Sequence, residues 1–266
     1  MTEQEILAEA KRLHQAEQER KQVDATTISY PDMDVTDSYK IQKAWMDIKK
    51  SEGRTVAGYK IGLTSRAMQK SMGIEEPDYG TLMDDMVFEE GTSIETAAFL
   101  DPKIEVELAF MLHTELKGDN ITLNDVLSAT EYVVPALELI AARSYRVHPE
   151  TGYRRTVRDT ISDNAANGGV ILGGRPMRPD DLDLRWVGAM LLRNGVIEES
   201  GVSGAVLNHP AKGIAWLAKK YAAHDIGLQP GQIILAGSFT RPVNIRKGDT
   251  FTADYGKMGT ISCYFS

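Results

Sequence analysis

Ile104-Glu105-Val106-Glu107-Leu108-Ala109-Phe110 reads as the clearest strand in the chain, running on to Leu112. Side chains of a strand alternate between faces, so Glu105 and Glu107 point one way while Val106, Leu108 and Phe110 face the other. Two carboxylates on one face admit two readings. They can form a solvated strand surface, or they can converge on a hard cation.

Outward from this strand, the texture is short strands and turns. Gly58-Tyr59-Lys60-Ile61-Gly62-Leu63 reads as a strand entering the core, residues 66–73 as a helical turn, and Glu76-Pro77-Asp78-Tyr79-Gly80 as a loop. Thr122 and Asp125 mark a helix start, and residues 132–140 are mainly apolar. Arg193-Asn194-Gly195-Val196 carries a hairpin signal between apolar runs. Pro230-Gly231 and Lys247-Gly248-Asp249 are turns before Ile233-Ile234-Leu235 and Phe251–Tyr255, and Ile261–Phe265 reads as a final strand. A helix at about 210–222 turns Ile214, Leu217, Ala218 and Tyr221 inward.

The first fifth is helical. Thr2 and Glu5 fit a capping box for a helix over residues 2–22, and Thr36 is a candidate cap for a second over 37–50 with Ile41, Trp45 and Ile48 on one face. The expected fold class is α+β and β-rich, a mixed β-roll rather than a doubly wound sheet. Residues 1–57 would form a helical segment packed on a catalytic core of residues 58–266.

Glu138 sits in Val133-Val134-Pro135-Ala136-Leu137-Glu138-Leu139-Ile140-Ala141-Ala142, a run that ought to be buried. An unpaired carboxylate there is costly, so it should be neutral, paired with Arg143, or bound to metal. Three carboxylates without a nearby His or Cys suit Mg²⁺ or Mn²⁺ better than zinc. Lys60, between glycines in an apolar strand, could orient a carboxylate, stabilise an enolate or move a proton, or simply snorkel from a strand edge. Asp78 could be a turn former or a catalytic group. Arg158–Gly169 could be a substrate-holding loop leading into a helical turn, or an ordinary capped loop.

The chain has 266 residues, 42% of them apolar, and a formal charge of −8. That suits one substantial domain and argues against nucleic acid or an anionic membrane as partner. Cys263, the single cysteine, cannot form an intrachain disulfide and reads as a core or interface side chain. The first residues are acidic and polar rather than a signal segment, and no apolar run approaches the roughly 18 residues of a spanning helix, so the cytosol is the expected setting. GxGxxG, GxxxxGK[ST] and HExxH are absent, the histidines show no ligand spacing, and Gly237-Ser238-Phe239-Thr240 lacks the setting of a nucleophile elbow.

Taken together, Lys60–Ser65, Pro77–Gly80, Ile104–Ala109, Pro135–Glu138 and Asp159–Asn164, with Leu207–Pro210 and Gly237–Pro242, resemble the hydratase and decarboxylase family of aromatic meta-cleavage pathways, which has a fumarylacetoacetate-hydrolase-like fold. The likeness runs through nearly the whole chain. It implies Glu105, Glu107 and Glu138 as ligands to Mg²⁺ or Mn²⁺, with Lys60 matching the family's active-site lysine and Asp78 its loop aspartate. Lys60 and Asp78 are the acid–base candidates, Thr64, Arg143 and Ser162 are candidate substrate contacts, and Arg241 is the basic side chain chosen for the distal carboxylate of a dioate. One departure is Ala141, where relatives frequently carry an aspartate. A large homo-oligomer is expected, with possible association with a pathway partner enzyme.

The implied activity is addition of water to 2-oxohept-4-ene-1,7-dioate, a small 2-oxo dicarboxylate of the homoprotocatechuate route, giving 4-hydroxy-2-oxoheptane-1,7-dioate. The rivals are decarboxylation of a 2-oxo-3-enedioate such as 4-oxalocrotonate, hydration of 2-oxopent-4-enoate, acylpyruvate-type C–C hydrolysis, and a non-enzymatic scaffold subunit.

Overall fold

The computed structural model describes residues 1–266, except the side chain of Ser71. Three helices come first: α1 (Glu3–Glu19), a short α2 (Thr26–Ser29) and α3 (Val35–Ser51). Then follow β1 (Val56–Gly62), α4 (Arg66–Met72), β2 (Asp78–Met83), β3 (Val87–Glu89), β4 (Ser93–Ile94) and β5 (Lys103–Leu112). The middle of the chain holds α5 (Leu123–Ala129), β6 (Thr130–Ile140), α6 (Val157–Ser162) and β7 (Asn167–Leu172). It ends with β8 (Gly188–Arg193), β9 (Val196–Val202), α7 (Ala211–Ala222), β10 (Ile233–Leu235), β11 (Val243–Asn244), β12 (Thr250–Asp254) and β13 (Thr260–Phe265).

The strands form two sheets. The larger runs β2-β1-β10-β5-β6-β7-β3, with β11 also pairing with β5, and the smaller runs β4-β13-β12-β8-β9. Both are mixed: β1 with β10, β3 with β7 and β4 with β13 are parallel, while the long β5–β6 ladder is antiparallel. One face of the large sheet presents Ile104, Val106, Leu108 and Phe110 to a core shared with Leu191, Phe251 and Phe265 of the small sheet and Ile214 and Leu217 of α7. The opposite face presents Leu82, Ala109, Ala136 and Leu235 to Ile6, Leu13, Ile41 and Trp45 of the N-terminal helices. Full burial of a side chain such as Leu13 or Ile41 contributes roughly 1.5–3 kcal/mol. The helices are therefore a layer over the sheet, and they share its core.

Local chemistry explains most boundaries. Thr2 caps α1 in a box with Glu5, and Thr122 caps α5 with Asp125. The β8–β9 hairpin turns on Asn194 and Gly195 at φ 54° and 81°, the left-handed pair such a turn requires. Cys263 is buried in the core, and Ile214, Leu217, Ala218 and Tyr221 face inward from α7.

Three expectations need correction. The cap of α3 is Asp34, boxed with Asp37, two residues before Thr36; a carboxylate accepts from the N3 amide as well as a hydroxyl does. The first helix stops at Glu19 because Arg20 turns left-handed at φ 53°. Asp78 opens strand β2 instead of lying in a loop, because Gly62 and Asp78 pair across β1 and β2. The expected class, a mixed α+β fold with an N-terminal helical segment, is the observed one, with 33% of the chain helical and 31% in strands.

Candidate metal centre

The site lies on the sheet face that the N-terminal helices cover. In the β5–β6 register, Glu105 stands opposite Glu138 and Glu107 opposite Ala136. Directly opposed residues of an antiparallel pair point to the same side. Glu105, Glu107 and Glu138 each offer a carboxylate oxygen, and these oxygens lie within 4.8 Å of one another. The choice left open by the sequence, a solvated strand face or converging carboxylates, is thus resolved geometrically. Glu107 and Glu138 are each 1% exposed, and Glu105 is partly exposed.

Lys60 comes from β1, across the short strand β10, and is buried. Its Nζ stands 3.3 Å from Glu138 Oε1, yet that oxygen accepts no hydrogen bond. The lysine thus pairs with Glu138 by charge and leaves the oxygen's lone pairs free. Arg143, the other partner considered for Glu138, is committed elsewhere. Its Nε donates to Asp163 Oδ1 at 2.6 Å, Nη1 to Asn167 O at 2.8 Å and Nη2 to Asp163 O at 2.7 Å. Its guanidinium also sits 5.0 Å from the centre of the Trp45 ring. Arg143 ties β6, β7 and α3 together, with its guanidinium nitrogens on Asp163 and the Asn167 carbonyl.

Electrostatics at the cluster are those of crowded carboxylates out of water. Burial, then the charge of Glu138, pushes Glu105 up to about 8. Burial and the charges of Glu138 and Glu105 hold Glu107 well above the ordinary carboxylate range, against the Gly237 amide that donates to its Oε2 at 2.9 Å. Burial alone would lower Lys60, but Glu138, Asp78, Glu107 and Glu105 outweigh it and raise the ammonium. Asp78 is raised by burial, with Lys60 opposing. Asp78 Oδ1 also accepts no hydrogen bond. A Cβ on Gly62 would collide with that oxygen and come within 3.2 Å of Lys60 Nζ, so the glycine lets the aspartate and the lysine share one space.

Without a cation, such a group of acids can persist only partly protonated. An all-oxygen donor set with an orphaned buried oxygen and no His or Cys fits Mg²⁺ or Mn²⁺.

The neighbourhood is built from strained and polar backbone. Asn164, Ala165 and Ala166 are all left-handed, at φ 51°, 51° and 58°, a conformation costing roughly 1–2 kcal/mol per residue. Asn164 is held there by its side chain, which accepts from Thr81 N at 2.7 Å and donates to Thr81 O at 2.8 Å. Of the two readings of Arg158–Gly169, a loop leading into a helical turn or an ordinary capped loop, the first has its order reversed: α6 comes first, boxed by Thr156 and Asp159, and the strained turn follows. Ser162 Oγ donates to Arg158 O at 2.9 Å, inside that helix. Thr64 is buried against Gly237. Arg241 lies in the solvent, its side chain 84% exposed and its Nη2 2.8 Å from Glu199 Oε1.

Two groups escaped sequence reading. Tyr255 Oη lies 3.0 Å from Glu107 O and 2.6 Å from Ala136 O, bracing the ligand strands from behind. Asp163 gathers Arg143 and, at 3.0 Å, Arg155. Only the density of polar residues in Asp159–Asn164 hinted at the second.

Known proteins resemble this chain along most of its length. The model of the fumarylacetoacetate (FAA) hydrolase C-terminal family matches residues 56–265. The chain is 60% identical, over 96% of each chain, to 2-oxo-hept-4-ene-1,7-dioate hydratase of Escherichia coli. It is 36% identical to 2-keto-4-pentenoate hydratase of Paraburkholderia xenovorans, covering 100% of this chain and 96% of that one. The structure of 4-oxalocrotonate decarboxylase from Pseudomonas putida G7, complexed with magnesium and adipate, superposes with a TM-score of 0.94 at 31% identity, covering 100% of this chain and 99% of that one.

Proposed function

The chain belongs to the fumarylacetoacetate hydrolase family, and we propose that it is a divalent-metal-dependent hydratase acting on 2-oxohept-4-ene-1,7-dioate. The observation that carries the chemistry is the trio Glu105, Glu107 and Glu138, with an orphaned oxygen on Glu138 facing Lys60. The substrate follows from the near-full-length likeness to the Escherichia coli hydratase. Glu105, Glu107 and Glu138 would hold Mg²⁺ or Mn²⁺. That ion supplies Lewis-acid polarisation of a 2-oxo acid.

This chain's own groups then account for the proton and charge movements. Lys60 enters as an ammonium, because four carboxylates raise it, so it acts as an acid and as a stabiliser of negative charge on the C2 oxygen. Asp78, raised by burial and free at Oδ1, accepts and returns protons beside it. In the balanced reaction the dienol proton moves from the C2 oxygen to C5. Water then gives its hydroxyl to C4 and a proton to C3, yielding 4-hydroxy-2-oxoheptane-1,7-dioate. Thr64 packs beside Gly237, whose amide donates to Glu107.

The test is to mix the purified protein with 2-hydroxyhepta-2,4-diene-1,7-dioate in Mg²⁺ and in EDTA, following dienol absorbance and product mass. Loss of absorbance only with metal, and a product heavier by one water, is the expected result. A product lighter by carbon dioxide would move the chain to the decarboxylase branch of the same family. No metal-dependent change on this or the five-carbon dienol would sink both.

A further inference from the structure

Lys103 opens β5 two residues before Glu105, so strand parity places Lys103, Glu105 and Glu107 on one face. In the ladder Lys103 stands opposite Ile140, and Glu105 stands opposite Glu138. Lys103 is partly buried, and among the described residues its ammonium makes no ion pair and no side-chain hydrogen bond. The other cations at this end of the site are engaged. Lys60 pairs with Glu138, Arg143 with Asp163, and Arg146 with Asp101 at 2.7 Å. Arg155 N donates to Arg146 O at 3.1 Å, which lays that segment beside the start of β5, and Arg155 spends only its Nη1 on hydrogen bonds.

We propose that Lys103 receives the far carboxylate of the seven-carbon substrate, an inference that rests on the hydratase reading of the same site. Two residues of strand separate Lys103 from Glu105 by about 7 Å, a span that the six bonds between the end carbons of the dioate can bridge. A lysine ammonium free of partners forms a charge-assisted bond to a carboxylate without first breaking another. Arg241, by contrast, is solvent-exposed and would have to leave Glu199. Arg155 keeps the same corner positive.

Calorimetric titration of the full-length, Mg²⁺-loaded protein with 2-oxoheptanedioate and 2-oxopentanoate compares two unreactive ligands that share the C1–C2 end. The parent protein is expected to bind the dicarboxylate more tightly. Lys103→Gln should weaken dicarboxylate binding at least tenfold and monocarboxylate binding less than twofold, while Lys103→Arg keeps most of the preference. Equal weakening of both ligands, no change in either, or a parent without preference overturns the assignment. So does loss of preference in Arg241→Gln but not in Lys103→Gln. A parent that prefers the dicarboxylate yet fails to hydrate the dienol would remove the hydratase reading and leave Lys103 in place.

Discussion

Lys60 and Gly237 work on the glutamates from opposite sides. Lys60 supplies the positive charge beside Glu138, so Lys60→Met should lower hydration about 10²–10⁴-fold. Calorimetry on the same variant should show Mg²⁺ still bound, because no ligand is lost; loss of metal binding would make the lysine a structural counter-ion instead. Gly237 sits at φ 117° and donates to Glu107 Oε2. A Cβ there would collide with Thr64, so Gly237→Ala should displace the amide and weaken Mg²⁺ affinity about 10–100-fold, the range typical of groups that orient ligands. An unchanged dissociation constant would show the amide to be dispensable. The glutamate trio itself was legible in the sequence, since strand parity aligns Glu105 with Glu107 and an apolar run surrounds Glu138. Which cation would face Glu138 was not. Lys60 and Arg143 are both basic, and only the placement of β1 beside β10 decides between them.

At the scale of elements, the long-range joints were the hidden part. The Asn194-Gly195 hairpin and the Thr2 and Thr122 caps rest on neighbours in sequence, so local chemistry reveals them. The strand order β1-β10-β5 unites residues far apart in the chain, and no local pattern encodes it. The Asp163 node is of the same kind: it binds Arg143 and Arg155, and through Arg143 it joins β6, β7 and the Trp45 face of α3. Asp163 is fully buried. Asp163→Asn leaves two buried guanidinium groups without their counter-charge, and a destabilisation of about 3–5 kcal/mol is expected. Urea denaturation would measure it, and a shift under about 1 kcal/mol would mean the arginines find other acceptors.

For the whole molecule, crowding of acids at one site links stability to pH and to metal. Glu105 is pushed up to about 8 from an ordinary 4.5. A carboxyl whose folded pKa exceeds its unfolded value stabilises the fold while protonated, below the unfolded value, and that contribution is lost as pH rises through the folded value. The metal-free protein should therefore lose thermal stability between about pH 4.5 and 8 from this site. Mg²⁺ binds the deprotonated, folded form and should restore it by mass action. Melting curves in EDTA and in Mg²⁺ across that interval should diverge as pH rises. Parallel curves would mean the carboxylates do not form one titrating, metal-binding unit. No helix among the described residues is long and apolar enough to cross a membrane, which agrees with the absence of a spanning run in the sequence.

The three residues of β10 lie between the strand that carries Lys60 and the strand that carries Glu105 and Glu107, and they lead directly to Gly237. During synthesis on the ribosome, Lys60 and all three glutamates emerge long before their spacer does. Until residue 237 is out, β1 and β5 each have an open edge, the condition under which strands pair with the wrong chain. Nascent chains stalled before residue 233 should be aggregation-prone, with Lys60 not yet set beside Glu138. The site is therefore completed only late in synthesis, when the strand between its lysine and its glutamates is made.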